Sequence, residues 1–150
     1  MRNQRAIDYK IIPLTPNLLR THIYTVLKLD NEIIAENWNE ENFIMELPQK
    51  WNVSQIVLKS DIVIGFMIAN SQTDSIHINR IVVDREFRGL GIGKELLNIA
   101  KNYAIKTQKK RVTIKVSPQN HGAIDYYIKY GFVINHYTQQ NISLSLSLSP

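Results

Sequence analysis

The chain has 150 residues, of which 44% are hydrophobic and 21% charged, a composition typical of one globular domain and incompatible with intrinsic disorder. It contains no cysteine, which excludes a disulfide scaffold, a thiol nucleophile and a cysteine-ligated zinc site. Its net charge is +5, and no apolar run approaches the ~20 residues that span a bilayer. We therefore expect a single domain over residues 1–150 in a cytoplasmic protein with no membrane partner.

The spacing of apolar residues predicts strands and helices along the whole chain. A strand at 9–14 precedes a helix that Thr15 caps and Pro16 opens, and a second helix is expected at 40–47. Further strands are predicted at 53–59, 62–70, 75–84 and 112–116, and further helices at 92–105 and 120–130, the last ended by Gly131. A hairpin at 132–137 and 142–148 closes the chain. Its serine–leucine alternation predicts a strand with one buried face.

Basic and acidic residues are unevenly distributed. Between residues 80 and 130 eleven basic residues stand against four acidic ones, whereas residues 30–46 hold six acids and no base. A positive segment favours an anionic ligand and an acidic segment favours a cationic one. Solvated helix faces would produce the same pattern, so charge alone leaves both interpretations open.

The strand predicted at 75–84 changes the parity of its apolar residues. Ile76 and Ile78 alternate in one phase, whereas Ile81 and Val83 fall in the other. One extra residue near 79–80 would return all four to a common face, as a β-bulge does, and would leave backbone groups free for a ligand. A strand buried on both faces would give the same sequence pattern.

A glycine-rich loop follows this strand and leads into the helix at 92–105. It reads Arg88-Gly89-Leu90-Gly91-Ile92-Gly93-Lys94. Glycines allow a ligand to approach the backbone, and the free N–H groups of a helix start bind phosphate. The loop is neither a Rossmann fingerprint, which needs glycine at Lys94, nor a P-loop, which needs glycine at Arg88 and Ser or Thr at Glu95.

Two motifs resemble the Gcn5-related N-acetyltransferase (GNAT) superfamily. The spacing Arg88-x-x-Gly91-x-Gly93 between a strand and a helix is similar to the family's acetyl-CoA pyrophosphate loop, and residues 120–132 resemble its Asn-x-x-Ala-x-x-hydrophobic-Tyr-x-x-x-Gly-Phe segment. The resemblance is specific from 84 to 132, and the first 50 residues agree only in outline. Arg85 and Tyr126 depart from the common proline and leucine.

The resemblance implies an α/β GNAT fold, with a mixed, mostly antiparallel sheet of about seven strands, a β-bulge, and helices on both faces. It also implies acetyl-CoA as cosubstrate, without a metal. The pantetheine arm would pair with the backbone of the bulged strand, and the loop amides would hold the pyrophosphate. The cofactor-binding residues implied are Ile81, Val82, Val83, Arg88, Gly89, Leu90, Gly91, Ile92, Gly93, Lys94 and Asn120.

The implied reaction is acetyl transfer to a primary amine by direct attack on the thioester. Tyr127 would protonate the departing thiolate as general acid. His77 occupies the strand position that corresponds to the general base of some family branches, and imidazole titrates in a suitable range. A carboxylate or an ordered water remains an alternative base.

The acceptor is predicted less directly. The acids of residues 30–46, together with Trp38 and Phe43, suit a cationic amine of a small molecule, peptide or protein. Family members often dimerise, so a homodimer is a candidate assembly. Two alternatives remain open: a CoA-binding regulator without catalysis, and a nucleic-acid-binding protein, which the calculated pI of 9.5 suggests but no recognition motif supports.

Overall fold

The computed structural model describes residues 8–33 and 38–148. Its strands are β1 Lys10–Pro13, β2 Gln55–Lys59, β3 Ile62–Ser71, β4 Ser75–Val83, β5 Arg111–Val116, β6 Val133–Tyr137 and β7 Ile142–Ser147. Its helices are α1 Pro16–Ile33, α2 Glu40–Ile44, α3 Lys50–Val53, α4 Ile92–Lys106 and α5 His121–Tyr130, and a 3₁₀ turn covers Arg85–Phe87. The predicted elements are therefore present, and α3 is an addition.

The strands form one sheet in the order β1-β2-β3-β4-β5-β7-β6. All described neighbours pair antiparallel except β4 and β5, which are parallel. The last strand, β7, lies between β5 and β6. A hairpin of β6 and β7 does not by itself require the pairing of β7 with β5. The mixed, mostly antiparallel sheet confirms the predicted fold class.

The helices cover the sheet on both faces. On the face under α4 and α5, called the α4 face here, α4 packs through residues such as Leu96 onto Ile76, Ile78 and Ile114. On the opposite face, the α1 face, α1 packs through residues such as Val26 onto β2, β3 and the end of β4. The leucines of β7 complete the α4-face core, so the predicted strand with a buried leucine face is present, and Ser145 on its other face is also buried.

Local chemistry explains three of the helix ends. The Thr15 side chain accepts a hydrogen bond from the Leu18 N–H at 3.0 Å, as an N-cap does. Gly131 ends α5 with φ 126°, a conformation that favours glycine. The helix predicted to 47 ends at Ile44 instead, because the buried Lys50 ammonium binds the carbonyls of Phe43 and Met45 at its C-terminus.

The predicted bulge in β4 is confirmed. Ile68 of β3 pairs with Arg80 and the next residue, Ala69, pairs with Ile78, so Asn79 is the extra residue. Below the bulge Ile78 packs on the α4 face, and above it Ile81 packs on that same face. The change of parity therefore reports a bulge and not a strand buried on both sides.

Helix α5 is held against the start of α4 by two tyrosines. A Cβ built on Gly93 would lie 2.9 Å from the Tyr126 hydroxyl, so glycine at this position allows the ring to sit beside the first turn of α4. One helical turn further, the Tyr130 hydroxyl donates to the Asn98 side chain. These contacts place the glycine loop and α5 side by side.

We predict that Gly93→Ala and Tyr126→Phe are energetically coupled. The added methyl meets the tyrosine hydroxyl, whereas the next ring atom, Cζ, is 3.5 Å away and leaves room. Gly93→Ala should lower the free energy of unfolding by about 1 kcal/mol through overpacking, and Tyr126→Phe should restore it. Urea denaturation of both single variants and the double variant measures this coupling. Equal destabilisation of Gly93→Ala in the two backgrounds would show that the contact is not the cause.

Candidate active site

The strands β4 and β5 part at the bulge. Their parallel ladder runs from Ser75 opposite Arg111 to Ile78 opposite Ile114, and no described residue of β4 beyond Ile78 pairs with β5. On its other side β4 remains paired with β3 as far as Val83. The result is a gap in the middle of the sheet, with strand edges whose backbone groups are available to a ligand.

A buried ion pair holds the bulged strand. The Arg80 Nε lies 3.2 Å from the Asp30 Oδ1 of α1, and the two side chains are 6% and 0% exposed. The Arg80 guanidinium also lies over the Trp38 ring, 4.5 Å from its centroid. The bulge directs Arg80 to the α1 face, where these partners lie.

The bulge residue itself carries an unused acceptor. The Asn79 side-chain oxygen is buried and has no hydrogen-bond partner among the described residues. Buried polar atoms are normally satisfied, so an orphaned acceptor beside a gap indicates a place for a donor from a ligand. The sequence indicated residues 79–80 only as the place of the bulge, since no residue spacing signals an orphaned atom.

The glycine loop owes its shape to two left-handed residues. Gly89 has φ 82° and Gly91 has φ 89°, whereas a Cβ on either would meet no atom within 4 Å. Glycine is therefore needed at these two positions for its backbone conformation and not for lack of space around it. Gly91 occupies the N-cap of α4 and provides no side-chain cap, so the amides at the start of this helix stay open to an anion.

The remaining loop residues have distinct positions. The Arg88 Nε donates to the Val83 carbonyl at 3.1 Å and so ties the loop to the end of β4. Leu90 is exposed, and the Ile92 side chain is buried in the α4-face core. The backbone of Ile92, and not its side chain, is therefore placed to meet a ligand. The backbone of Gly93 and Lys94 lies beside it in the first turn of α4.

Asn120 begins α5. Its Oδ1 accepts from the Ala123 N–H at 3.2 Å, which makes it the N-cap residue. The side-chain NH₂ takes no part in the cap and is a donor for a ligand.

Tyr127 lies in the α4-face core. It is 7% exposed, and its ring meets those of Tyr126 and Phe132 edge-on at centroid distances of 5.8 and 5.7 Å. Burial raises the pKa of its hydroxyl well above the usual 10, and Tyr126 adds to the shift. The hydroxyl therefore keeps its proton at neutral pH, and no described residue hydrogen-bonds it.

His77 lies on the opposite, α1 face, at the last position but one of the β4–β5 ladder. Its Nδ1 is 2.8 Å from the Thr113 Oγ1. Burial, and then the positive charge of Lys115, lowers its pKa below the usual 6.5, so the imidazole is neutral at pH 7. Tyr127 and His77 thus lie on the two faces of the sheet that the gap connects.

The residues of the predicted acidic and aromatic acceptor surface differ in exposure: Glu32, Glu40 and Glu41 are exposed, whereas others are buried or paired. Asp30 is buried against Arg80, Phe43 is fully buried, and Trp38 packs on Arg80. The Glu46 carboxylate accepts from the Trp51 indole N–H at 2.9 Å. Glu40 and Glu41 occupy the first turn of α2, and Glu36 lies outside the described residues. Tertiary contacts thus occupy several side chains that the sequence assigned to a substrate.

Residues 8–33 and 38–148 contain neither a cluster of metal ligands nor a membrane-spanning helix. No group of three or more His, Asp or Glu side chains in these ranges could hold a metal ion. Within the same ranges, no helix has the length and apolar character needed to cross a membrane.

Comparison with known proteins identifies the family of this chain. Residues 21–132 match the Acetyltransferase (GNAT) family. A 55-residue segment is 46% identical to an uncharacterized N-acetyltransferase of Methanocaldococcus jannaschii, over 37% of this chain and 24% of that protein. The chain thus matches less than a quarter of this relative's length.

Solved structures agree in fold. Ard1 from Thermoplasma volcanium superposes with a TM-score of 0.79 at 21% identity, covering 95% of this chain and 99% of that one. The PaiA N-acetyltransferase from Thermoplasma acidophilum, in complex with coenzyme A, gives 0.73 at 18% identity, covering 93% and 99%. The resemblance inferred from the two motifs is confirmed. Because the family match spans most of the sequence, this protein belongs to the acetyltransferase (GNAT) family.

Proposed function

We propose that this protein is an acetyl-CoA-dependent N-acetyltransferase that acts on a primary amine. The observation that carries the proposal is the gap between β4 and β5, with the open glycine loop at its α4 side. Family membership supports it, as does the coenzyme A held by the PaiA N-acetyltransferase of the same fold.

The residues at the gap fit coenzyme A. The amides at the start of α4 and the Lys94 ammonium would bind the pyrophosphate, because a helix N-terminus favours anions. The backbone of Ile81 to Val83 and the orphaned Asn79 oxygen would bond the pantetheine amides. The free Asn120 NH₂ adds a donor on the α5 side.

Bound acetyl-CoA supplies the acetyl group as a thioester, whose C–S bond breaks as the acceptor nitrogen bonds to the carbonyl carbon. The chain's own residues handle the protons. If the His77 Nδ1–H donates to Thr113, the Nε2 lone pair is free to take the proton that the amine loses. The lowered pKa of His77 keeps it neutral and available for this step.

Tyr127 is the proposed donor to the departing sulfur. Its raised pKa ensures that the hydroxyl is protonated before the reaction. A tyrosine with a high pKa is a weak acid, but the same apolar surroundings also raise the pKa of a thiol, so the thiolate there is more basic than in water.

We predict that Gly91→Ala weakens coenzyme A binding by about tenfold or more, because a side chain at φ 89° costs about 1–2 kcal/mol. Calorimetric titration with coenzyme A measures this. Gly122→Ala is the matched control, since it lies in α5 and its added Cβ meets no atom within 4 Å. Absence of coenzyme A binding by the unmodified protein would contradict the proposed function.

Removing the Tyr127 hydroxyl should affect the chemical step and not cofactor binding. We expect Tyr127→Phe to lower kcat by about 10²–10⁴, the range for a positioned acid, at unchanged coenzyme A affinity. Tyr130→Phe is the control, because that hydroxyl binds Asn98 away from the gap. A kcat equal to that of the unmodified enzyme would make Tyr127 a packing residue only.

The pH profile tests His77. As the base must be neutral, kcat/KM should fall as the pH drops through the His77 pKa, which lies below 6.5. His77→Gln should remove this acidic limb, whereas the exposed His136→Gln should leave it unchanged. Persistence of the limb in His77→Gln would assign the base to another group, such as water.

A further inference from the structure

A polar cavity adjoins the gap on the α1 face. It has a volume of about 260 Å³. Ile114 and Leu144 line part of it, and its polar lining residues are His77, Gln72, Thr113, Lys115, Asn135 and Ser143. Helices α1 and α2 cover the β1–β4 part of this face, whereas the cavity lies over β4, β5, β7 and β6. Ile114 is the last residue of β5 that pairs with β4, and Lys115 follows it.

The lining has the chemistry of an anion site. Lys115 contributes the positive charge, and none of the described residues that line the cavity is acidic. The Ser143 hydroxyl is a donor, and the Asn135 NH₂ uses one hydrogen for the Ser145 Oγ at 2.6 Å, which leaves the other for a ligand. A carboxylate would meet one ammonium and two neutral donors here.

The position of the cavity relates it to the acceptor. The cofactor loop lies at the start of α4, so a thioester would enter the gap from the α4 face and the amine would approach from the α1 face. His77, the proposed base, lines the same cavity as Lys115. His77 and Lys115 lie on neighbouring strands. Lys115 is two residues beyond Thr113, the partner of His77, and therefore lies on the same face of the sheet. Strands lie ~4.8 Å apart, so a short molecule can meet both.

We propose that this cavity binds the carboxylate of a small amino-acid acceptor whose amine faces His77; this rests on the proposed function. In a free amino acid the amine and the carboxylate are close together, as the spacing between His77 and Lys115 requires. A peptide carries no backbone carboxylate beside its N-terminal amine. The volume of about 260 Å³ suits a small acceptor.

The test compares two probes that differ only in charge, N-acetylglycine and its neutral amide. The backbone amides of Thr113, Lys115 and Ser143 are followed by ¹H–¹⁵N NMR, with and without coenzyme A. We expect the carboxylate to bind about five- to tenfold more tightly than the amide. It should also raise the pKa of His77, since a nearby anion favours the charged imidazole.

Lys115→Met should abolish the preference for the carboxylate, because it removes the charge and keeps a flexible stem. Lys106→Met, an exposed substitution at the end of α4, should retain it. Equal binding of both probes, no response of the cavity amides to either, or an unchanged preference in Lys115→Met would overturn the inference.

Coenzyme A titration of the same samples keeps the two proposals apart. Lys115→Met should bind coenzyme A as the unmodified protein does, because Lys115 lies away from the glycine loop. In the unmodified protein, absence of carboxylate binding together with intact coenzyme A binding would contradict only the acceptor inference. Carboxylate binding in a protein that does not bind coenzyme A sinks the proposed function, and with it the role of the cavity as an acceptor site.

Discussion

The buried ion pair between Arg80 and Asp30 is the interaction on which the arrangement around the gap depends. With an ordinary β4, Arg80 would point into the apolar α4-face core, where an unpaired charge costs several kcal/mol. The extra residue Asn79 rotates it to the α1 face, where Asp30 and the Trp38 ring receive it. Removing one partner of such a pair typically costs about 3–5 kcal/mol, so the register of β4 is strongly specified.

The bulge that this ion pair requires also explains the gap. Below Asn79 the β4 edge is straight and pairs with β5, and beyond it the two strands separate. The sheet is therefore open where the α4 N-terminus and the α1 face approach each other. In the proposed function, the phosphate-bearing molecule is held on the α4 side and the amine on the α1 side. Tyr127 lies on the α4 side and His77 on the α1 side.

Strand β7 contributes to both faces at once. Its leucines complete the core beneath α4 and α5, while Ser143 lines the polar cavity on the opposite side. The two-residue repeat of a strand separates these roles, since successive side chains point to opposite faces. Insertion of β7 between β5 and β6 brings the serines of β7 beside Thr113, which is the partner of His77.

The sequence by itself determined the features that depend on local spacing. The parity change around Asn79 predicted the bulge, the glycines predicted the loop, and Gly131 marked the end of α5, because each is a property of a few consecutive residues. The two GNAT motifs are also short and contiguous, which is why the family and the fold class followed from them.

Only the tertiary structure decided which distant side chains meet. Arg80 and Asp30 are fifty positions apart, and nothing in the acidic stretch distinguished Asp30 as buried. In the sequence, Lys115 is only one of eleven basic residues between 80 and 130. The parallel pairing of β4 with β5 placed it beside His77. Spacing along the chain specifies which face of an element a residue occupies. Which neighbour that face meets depends on strand order and helix packing, and these are set by burial across the whole sheet.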